Sequence, residues 1–218
     1  MNTYIYLYRM TSDTGNAQCV YTGKTNKFEI SNMLTLACCK GGQIRYYKNG
    51  LAKPVHTGLR HTIGKRHKES IKNKTDRVIV VGIYKNKIMY VADISEIITM
   101  YEYFSNQKYE DRKDYIYSVL NCTQSNVDTK SDTQYFLQRN KNNLFFHSPP
   151  LGLDKKTDDE LIAQHHRDEL GEFVLISKKF SYDDGYSQLE KYFEPLLSPQ
   201  YISKFPLCCS SQIILGMI

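Results

Sequence analysis

Apolar and polar positions alternate from the first residues of the chain. NTYIYLYRM, residues 2–10, has the two-residue period of a strand, and SDTG, residues 12–15, reads as the turn after it. RVIVVGIY and KIMYVADI, residues 77–84 and 87–94, are apolar runs on either side of Lys85-Asn86. That pattern predicts a β-hairpin, although Lys-Asn is not the favoured Asn-Gly. FVLISKKF, residues 173–180, predicts one further strand.

Helix signals punctuate the rest. Ser31 stands where a cap would for a short helix through MLTLACC, with Gly41 and Gly42 ending it. Ser95 does the same for EIITMYEYF, with Glu96 in the first turn. DRKDYIYSVL, residues 111–120, suits a short helix or a strand. Thr157 and Glu160 form a capping box ahead of LIAQHHRDEL, which Gly171 closes, and YSQLEKYFEPLL predicts a final helix. Residues 121–134 read as an exposed loop. Gly50, Pro54, Gly58 and Gly64 mark an irregular basic insert at about 46–75, within which HTIGKRHKESIKNK predicts a helix. With no internal repeat or linker, the expectation is one α+β domain over residues 1–218. Its mixed, curved sheet is flanked by helices and the insert lies along one edge. A barrel-like sheet is the alternative.

Composition changes this picture little. A chain of 218 residues buries a core without disulfide staples. Its 18 tyrosines fit half-buried strands, interfaces or base stacking, and also the Lys, Asn, Tyr and Ile bias of an AT-rich genome. The opening residues lack the basic lead and apolar core of a signal peptide. No run approaches the roughly 20 apolar residues of a membrane helix. A cytoplasmic protein without a membrane partner is expected, its six cysteines reduced.

Charge changes it more. Between Lys40 and Arg77 stand eleven Lys and Arg against Glu69 and Asp76, so the rest of the +6 chain carries −3. A cationic block on a near-neutral body points to a polyanion such as DNA, or else only keeps a loop soluble. Lys40, Arg45, Arg60, Lys65, Arg66 and Lys68 are the candidate phosphate contacts. Gly41-Gly42 beside Lys40 offers backbone N–H groups to a phosphate.

Metal chemistry is poorly supported. Zinc ligands usually stand about two to four residues apart, whereas Cys38-Cys39 and Cys208-Cys209 are adjacent and point about 100° apart on a helix. Core filling by small thiols accounts for them better, with Cys19 and Cys122. His165 and Asp168 share a helix face, but nothing places a third ligand beside them or His147. No Walker sequence, dinucleotide fingerprint or nucleophile elbow is present. Two carboxylates have catalytic potential. Asp13, in a turn after a strand, can steady a developing cation or serve an Asx-turn. Asp114 has Tyr109, Tyr115 and Tyr117 nearby, a composition suited to a pocket for a flat base or to core tyrosines beside a surface charge.

Several stretches together resemble the nucleotide modification associated domain family, second type. TLACCK followed by Ile44-Arg45 is similar to its TLA-x-CK-x-x-IR pattern, and SDTGNA to its early D-x-G-x-A element. DRVIVVGIYKNKIMYVADISEIITMYEYF resembles its central block, KDYIY its Gly-Asp-x-Ile-Tyr step, and FVLISKKFSYDDG its closing signature. The resemblance runs from about residue 4 to 186. Gln18, Cys19, Thr75 and Lys113 depart from the pattern, and the basic insert interrupts it. It implies a protein that handles DNA carrying modified bases, without a nucleotide triphosphate or redox cofactor; hydrolysis of a glycosidic bond by a carboxylate needs no metal or organic cofactor. It also marks Asp13, Lys40, Arg45, Asp76 and Asp114. The leading expectation is a DNA glycosylase acting on modified phage DNA. Asp13 or Asp114 would be its carboxylate, and Tyr109, Tyr115 and Tyr117 its base pocket. A non-catalytic reader and a base-modifying transferase are the alternatives.

Overall fold

The computed structural model describes residues 1–9, 19–22, 29–38, 42–46, 52–84, 87–119, 137–139, 168–182 and 213–215. Their elements begin with β1 (Asn2–Arg9), β2 (Cys19–Thr22), β3 (Glu29–Leu36), β4 (Gly42–Tyr46), β5 (Ala52–Thr57) and α1 (Leu59–Lys72). There follow β6 (Asp76–Tyr84), β7 (Lys87–Ile94), β8 (Glu96–Thr99), α2 (Met100–Phe104), a 3-10 turn (Gln107–Tyr109), β9 (Tyr117–Val119) and β10 (Leu137–Arg139). The last are β11 (Phe173–Ser177), β12 (Lys179–Tyr182) and β13 (Ile213–Leu215). The class is mixed α+β, mostly strands.

The first sheet has the order β12-β7-β6-β1-β13 and is mixed, because β1 and β6 run parallel while its other pairs are antiparallel. Tyr6, Tyr8, Val78 and Val80 project into one core, and Ile5, Leu7, Val81 and Ile83 into another. Strands buried on both faces read as continuous apolar runs, and residues 77–84 have that character. A parallel pair needs a long crossover, here the chain between β1 and β6 that includes α1. The expected hairpin is present as β6 and β7.

The second sheet, β2-β3-β11-β8, is antiparallel throughout. Phe173 and Leu175 face the first core together with Leu34, Leu36 and Ile97. Val174 and Ile176 face the opposite way, onto Met100, Tyr103 and Phe104 of α2 and onto Tyr109, Tyr115 and Tyr117. Two smaller antiparallel pairs, β4–β5 and β9–β10, complete the described strands. The two large sheets are not closed into a barrel, which sets aside the barrel-like alternative. Instead the chain passes from one sheet to the other at two exposed residues, Ser95 and Lys178. The corner is tied: Ser95 N–H donates to the Ile176 carbonyl (2.9 Å) and Ser177 Oγ to the Asp93 carbonyl (2.7 Å).

Three element expectations need correction. Of the helix placed on MLTLACC, Met33 to Leu36 belong instead to strand β3, paired on both sides by β2 and β11, and Cys39 lies outside the described residues. A ladder with two neighbours outweighs the small preference of so short a helix. The helix placed on residues 96–104 is half strand. Ile97 and Ile98 pair with Leu175 and Val174, and helix α2 starts only at Met100. Its cap is Thr99, not Ser95. The Thr99 hydroxyl accepts from Glu102 N–H (3.1 Å) while the Glu102 carboxylate accepts from Thr99 N–H (2.6 Å), a capping box. Residues 173–180 form two strands in different sheets rather than one. The turn at 12–15, the loop at 121–134, the Thr157 capping box and the final helix lie outside the described residues.

The basic stretch is not an irregular appendage. It holds β5 and α1, and Leu59, Ile63 and Ile71 of α1 belong to the first core. The buried positions 60, 63, 64, 67 and 71 make one helical stripe. At Gly64 a Cβ would lie 2.1 Å from Phe173 Cδ2, so only glycine lets α1 sit this close to β11. The helix ends in a Schellman motif: Thr75 N–H donates to the Ser70 carbonyl (2.8 Å) and Lys74 N–H to that of Ile71 (3.0 Å). This puts Lys74 at φ 56°, the left-handed region. Lys74→Gly is therefore expected to raise the unfolding free energy by about 1 kcal/mol in urea titration, and Lys74→Val to lower it.

Candidate nucleic-acid interface and the buried tyrosine–carboxylate cluster

Helix α1 sorts its charges by face. Lys65, Arg66, Glu69 and Lys72 are exposed and Lys68 half-exposed. Lys72 in the last turn also complements the helix dipole. Two cations of this face have acidic partners from neighbouring elements. Lys65 Nζ is 2.8 Å from Glu172, which His61 also approaches at 3.2 Å, and Lys68 Nζ is 3.5 Å from Glu102. The Arg66 guanidinium lies over the Tyr4 ring, 5.1 Å from its centroid. These solvent-facing pairs are weak and screened by salt, so a polyphosphate can displace them.

Arg60 departs from the expectation. Its side chain is 0% exposed. Nη1 donates to the Phe173 carbonyl (2.7 Å) and Nη2 to the Asp168 carbonyl (2.5 Å), with the Asp168 carboxylate 4.0 Å away. It is an internal brace and cannot reach a phosphate from there. Arg45 lies on β4 in register with Lys53 of β5, and Lys40 and Asp13 lie outside the described residues.

Asp114 is 5% exposed. Oδ2 accepts from Thr35 Oγ1 (2.7 Å) and from Ala37 N–H (3.3 Å), and Oδ1 accepts from the Tyr103 hydroxyl (2.7 Å). Arg112 Nε is 4.0 Å from the carboxylate. Arg112 also donates to the carbonyls of Met33 and Cys19 and to Thr35 Oγ1, joining β2 and β3 to the segment after α2. Burial, then the Asp114 charge, hold the Tyr103 phenol well above its ordinary pKa and push the Cys19 thiol up to about 12. Both groups stay protonated at neutral pH. Cys19 and Cys38 are buried thiols outside any disulfide, in keeping with core filling, and the other cysteines lie outside the described residues.

The three expected pocket tyrosines are near Asp114 but form packing rather than a cavity. Tyr109 stacks on Tyr103 with ring centroids 4.4 Å apart. Tyr115 donates to the Phe104 carbonyl (2.5 Å), and Tyr117 to Asp168 Oδ2 (2.7 Å). An open cleft of about 610 Å³ borders Tyr109, but Glu96 and Glu102 stand on its rim with residues 105–108. Two acids beside one lysine make it a poor seat for a phosphate chain. Asp114, saturated with donors and walled off, cannot meet a sugar from this arrangement. Among the described residues no group of three or more His, Cys, Asp or Glu side chains could hold a metal ion. No helix among them is long and apolar enough to cross a membrane.

Sequence reasoning missed one buried network. His67 Nε2 is 2.7 Å from the Tyr6 hydroxyl, and Nδ1 is 2.9 Å from Asp76 Oδ2, which also accepts from Ser70 Oγ (2.7 Å). A signal existed. His67 stands four residues from both Ile63 and Ile71, on the apolar stripe of its helix.

Fold and site together define an α+β protein of two sheets with a cationic helix laid across them. No family model matches the chain, and neither a curated protein nor a solved structure matches it.

Proposed function

We propose that this protein binds DNA through the exposed face of α1 and reads modified bases without excising them. The observation that carries the reading is the face itself, where Lys65, Arg66, Lys68 and Lys72 are opposed on the helix only by Glu69. A rigid helix with this charge neutralises several phosphates at once and releases their counterions. The modified-base part rests on the family resemblance of the motifs at residues 34–45, 76–104 and 113–117. A non-catalytic reader is favoured over a glycosylase because Asp114 is enclosed by four hydrogen-bonding or charged partners. Glycosidic cleavage would then fall to Asp13.

Binding of a fluorescent 20-base-pair duplex across a salt series tests this. The triple variant Lys65→Gln, Arg66→Gln, Lys72→Gln is expected to weaken binding and make the log–log salt slope shallower by about 3. An unchanged slope would remove α1 from the interface. In parallel, wild type incubated with phage DNAs carrying modified cytosines, thymines or guanines should retain one of them without releasing a free base by mass spectrometry. Free base, lost in Asp13→Asn, would establish the glycosylase instead.

A further inference from the structure

The Asp76–His67–Tyr6 relay lies on the inner side of the same helix whose outer side is cationic. His67 is 1% exposed in its side chain. It joins α1 to β6 through Asp76 and to β1 through Tyr6. Partner chemistry fixes the tautomer of the resting state. An ionised carboxylate only accepts, so Nδ1 carries the proton toward Asp76, and in the neutral ring Nε2 accepts from the Tyr6 hydroxyl. The Tyr4 ring covers one side of the imidazole, with centroids 4.5 Å apart.

We propose that this relay is an acid-sensitive latch: protonating His67 loosens α1 from the sheet and so withdraws the cationic helix from service. A second proton on the ring turns Nε2 from acceptor into donor. The Tyr6 hydroxyl must then release its own hydrogen toward another acceptor inside a closed core. Of the charged groups near it, the Arg66 guanidinium only donates, and Asp76 Oδ2 already accepts from His67 and Ser70. Burial first, then Arg66, disfavour the imidazolium, and these outweigh the help from Asp76, so His67 sits below its ordinary pKa of 6.5. Burial also raises the Tyr6 phenol, which stays a donor throughout. The groups facing the imidazole are Tyr4 and Tyr6 from β1, Asp76 from β6 and Arg66 on α1. Glu96 of β8 acts instead on Lys108 and Tyr109, and β11 carries no charged residue.

The sign follows from linkage. Because the folded pKa lies below 6.5, the unfolded chain takes the His67 proton first, and stability falls as pH drops below 6.5. Asp76, lowered from its ordinary 3.8 by Ser70 and His67, keeps its contribution until pH falls below 3.8. Between pH 6.5 and 5 the latch therefore opens through His67 rather than through Asp76. Glu169, raised to about 6 chiefly by burial, works in the opposite sense over pH 4.5 to 6. Comparison with His67→Gln, which retains Glu169, removes that contribution.

The test is read on the helix and needs no DNA. Imidazole NMR of the wild-type protein should give His67 a pKa below 6.5. Amide hydrogen exchange, corrected for intrinsic rates, should show α1 losing about tenfold more protection than β7 between pH 7.5 and pH 5. His67→Gln should lose this difference, and Tyr6→Phe, which has no hydroxyl proton to strand, should reduce it. A His67 pKa at or above 6.5, or wild-type protection in α1 that is flat with pH, overturns the latch. Only its consequence for DNA rests on the function proposed above. An α1 that opens at pH 5 in a protein that never retains DNA supports the latch and defeats that function.

Discussion

Replacing Asp114 by alanine is expected to lower the unfolding free energy by about 3–5 kcal/mol, enough to unfold much of the protein at 37 °C. Three donors and a guanidinium converge on this carboxylate. Without it, Tyr103, Thr35 and the Ala37 N–H lose the acceptor they share, and Arg112 loses the negative charge beside its Nε. Each buried donor left unsatisfied costs on the order of 1–3 kcal/mol, and a broken buried charge pair more. Asp114→Asn keeps one acceptor oxygen and should cost about 1–3 kcal/mol. Urea denaturation measures both. The result separates two roles for the residue. A catalytic carboxylate often costs stability, so neutralising it leaves the fold unchanged or firmer. A structural one weakens the fold in proportion to its partners. A double-mutant cycle of Asp114→Asn with Tyr103→Phe should show a coupling above about 0.5 kcal/mol, because the two groups share one hydrogen bond. Unchanged urea midpoints for both Asp114 variants would return Asp114 to the list of candidate catalysts.

Asp114 also shows where the sequence was legible and where it was not. The neighbourhood was correct: Asp114, Tyr109, Tyr115 and Tyr117 share one cluster with the end of α2. What local sequence could not supply was the contribution of β3. Thr35 and Ala37 stand more than seventy residues away and turn a possible pocket into a closed network. The hairpin of β6 and β7 was readable because its pairing is local and its apolar runs are long. The β3 segment was misread because its partner β11 lies some 140 positions along the chain in sequence; a short apolar run cannot choose between helix and buried strand by periodicity alone. The same limit applied to Ile97 and Ile98. For α1, the glycines suggested a loop, whereas Gly64 is there to admit the Phe173 ring. Net charge gave the cationic segment as a whole, but only the helical stripe of Arg60, Ile63, His67 and Ile71 separates its inward from its outward charges.

Arg60 is the inward charge with the largest expected effect. Arg60→Ala should cost about 3–5 kcal/mol of stability, because it removes a buried guanidinium together with its bonds to the Phe173 and Asp168 carbonyls and its charge beside the Asp168 carboxylate. Tyr117 still donates to Asp168, so the loss should approach the lower end if that bond holds. Arg60→Lys is no substitute: a single ammonium cannot span the Phe173 and Asp168 carbonyls as the planar guanidinium does. Gly171→Ala offers an approach from the other side, since its Cβ would lie 2.3 Å from Arg60 Cζ and must displace the guanidinium. All three changes should lower the urea midpoint, with Arg60→Ala the most damaging. A phosphate-contacting arginine makes the opposite prediction: Arg60→Ala would leave the midpoint within about 0.5 kcal/mol of wild type and weaken only DNA binding. The contrast with Lys65 and Arg66 is the decisive comparison, because these lie within two turns of the same helix. Stability should depend on residue 60 and polyanion affinity on residues 65 and 66, and an exchange of those two dependences would invert the assignment of the helix faces.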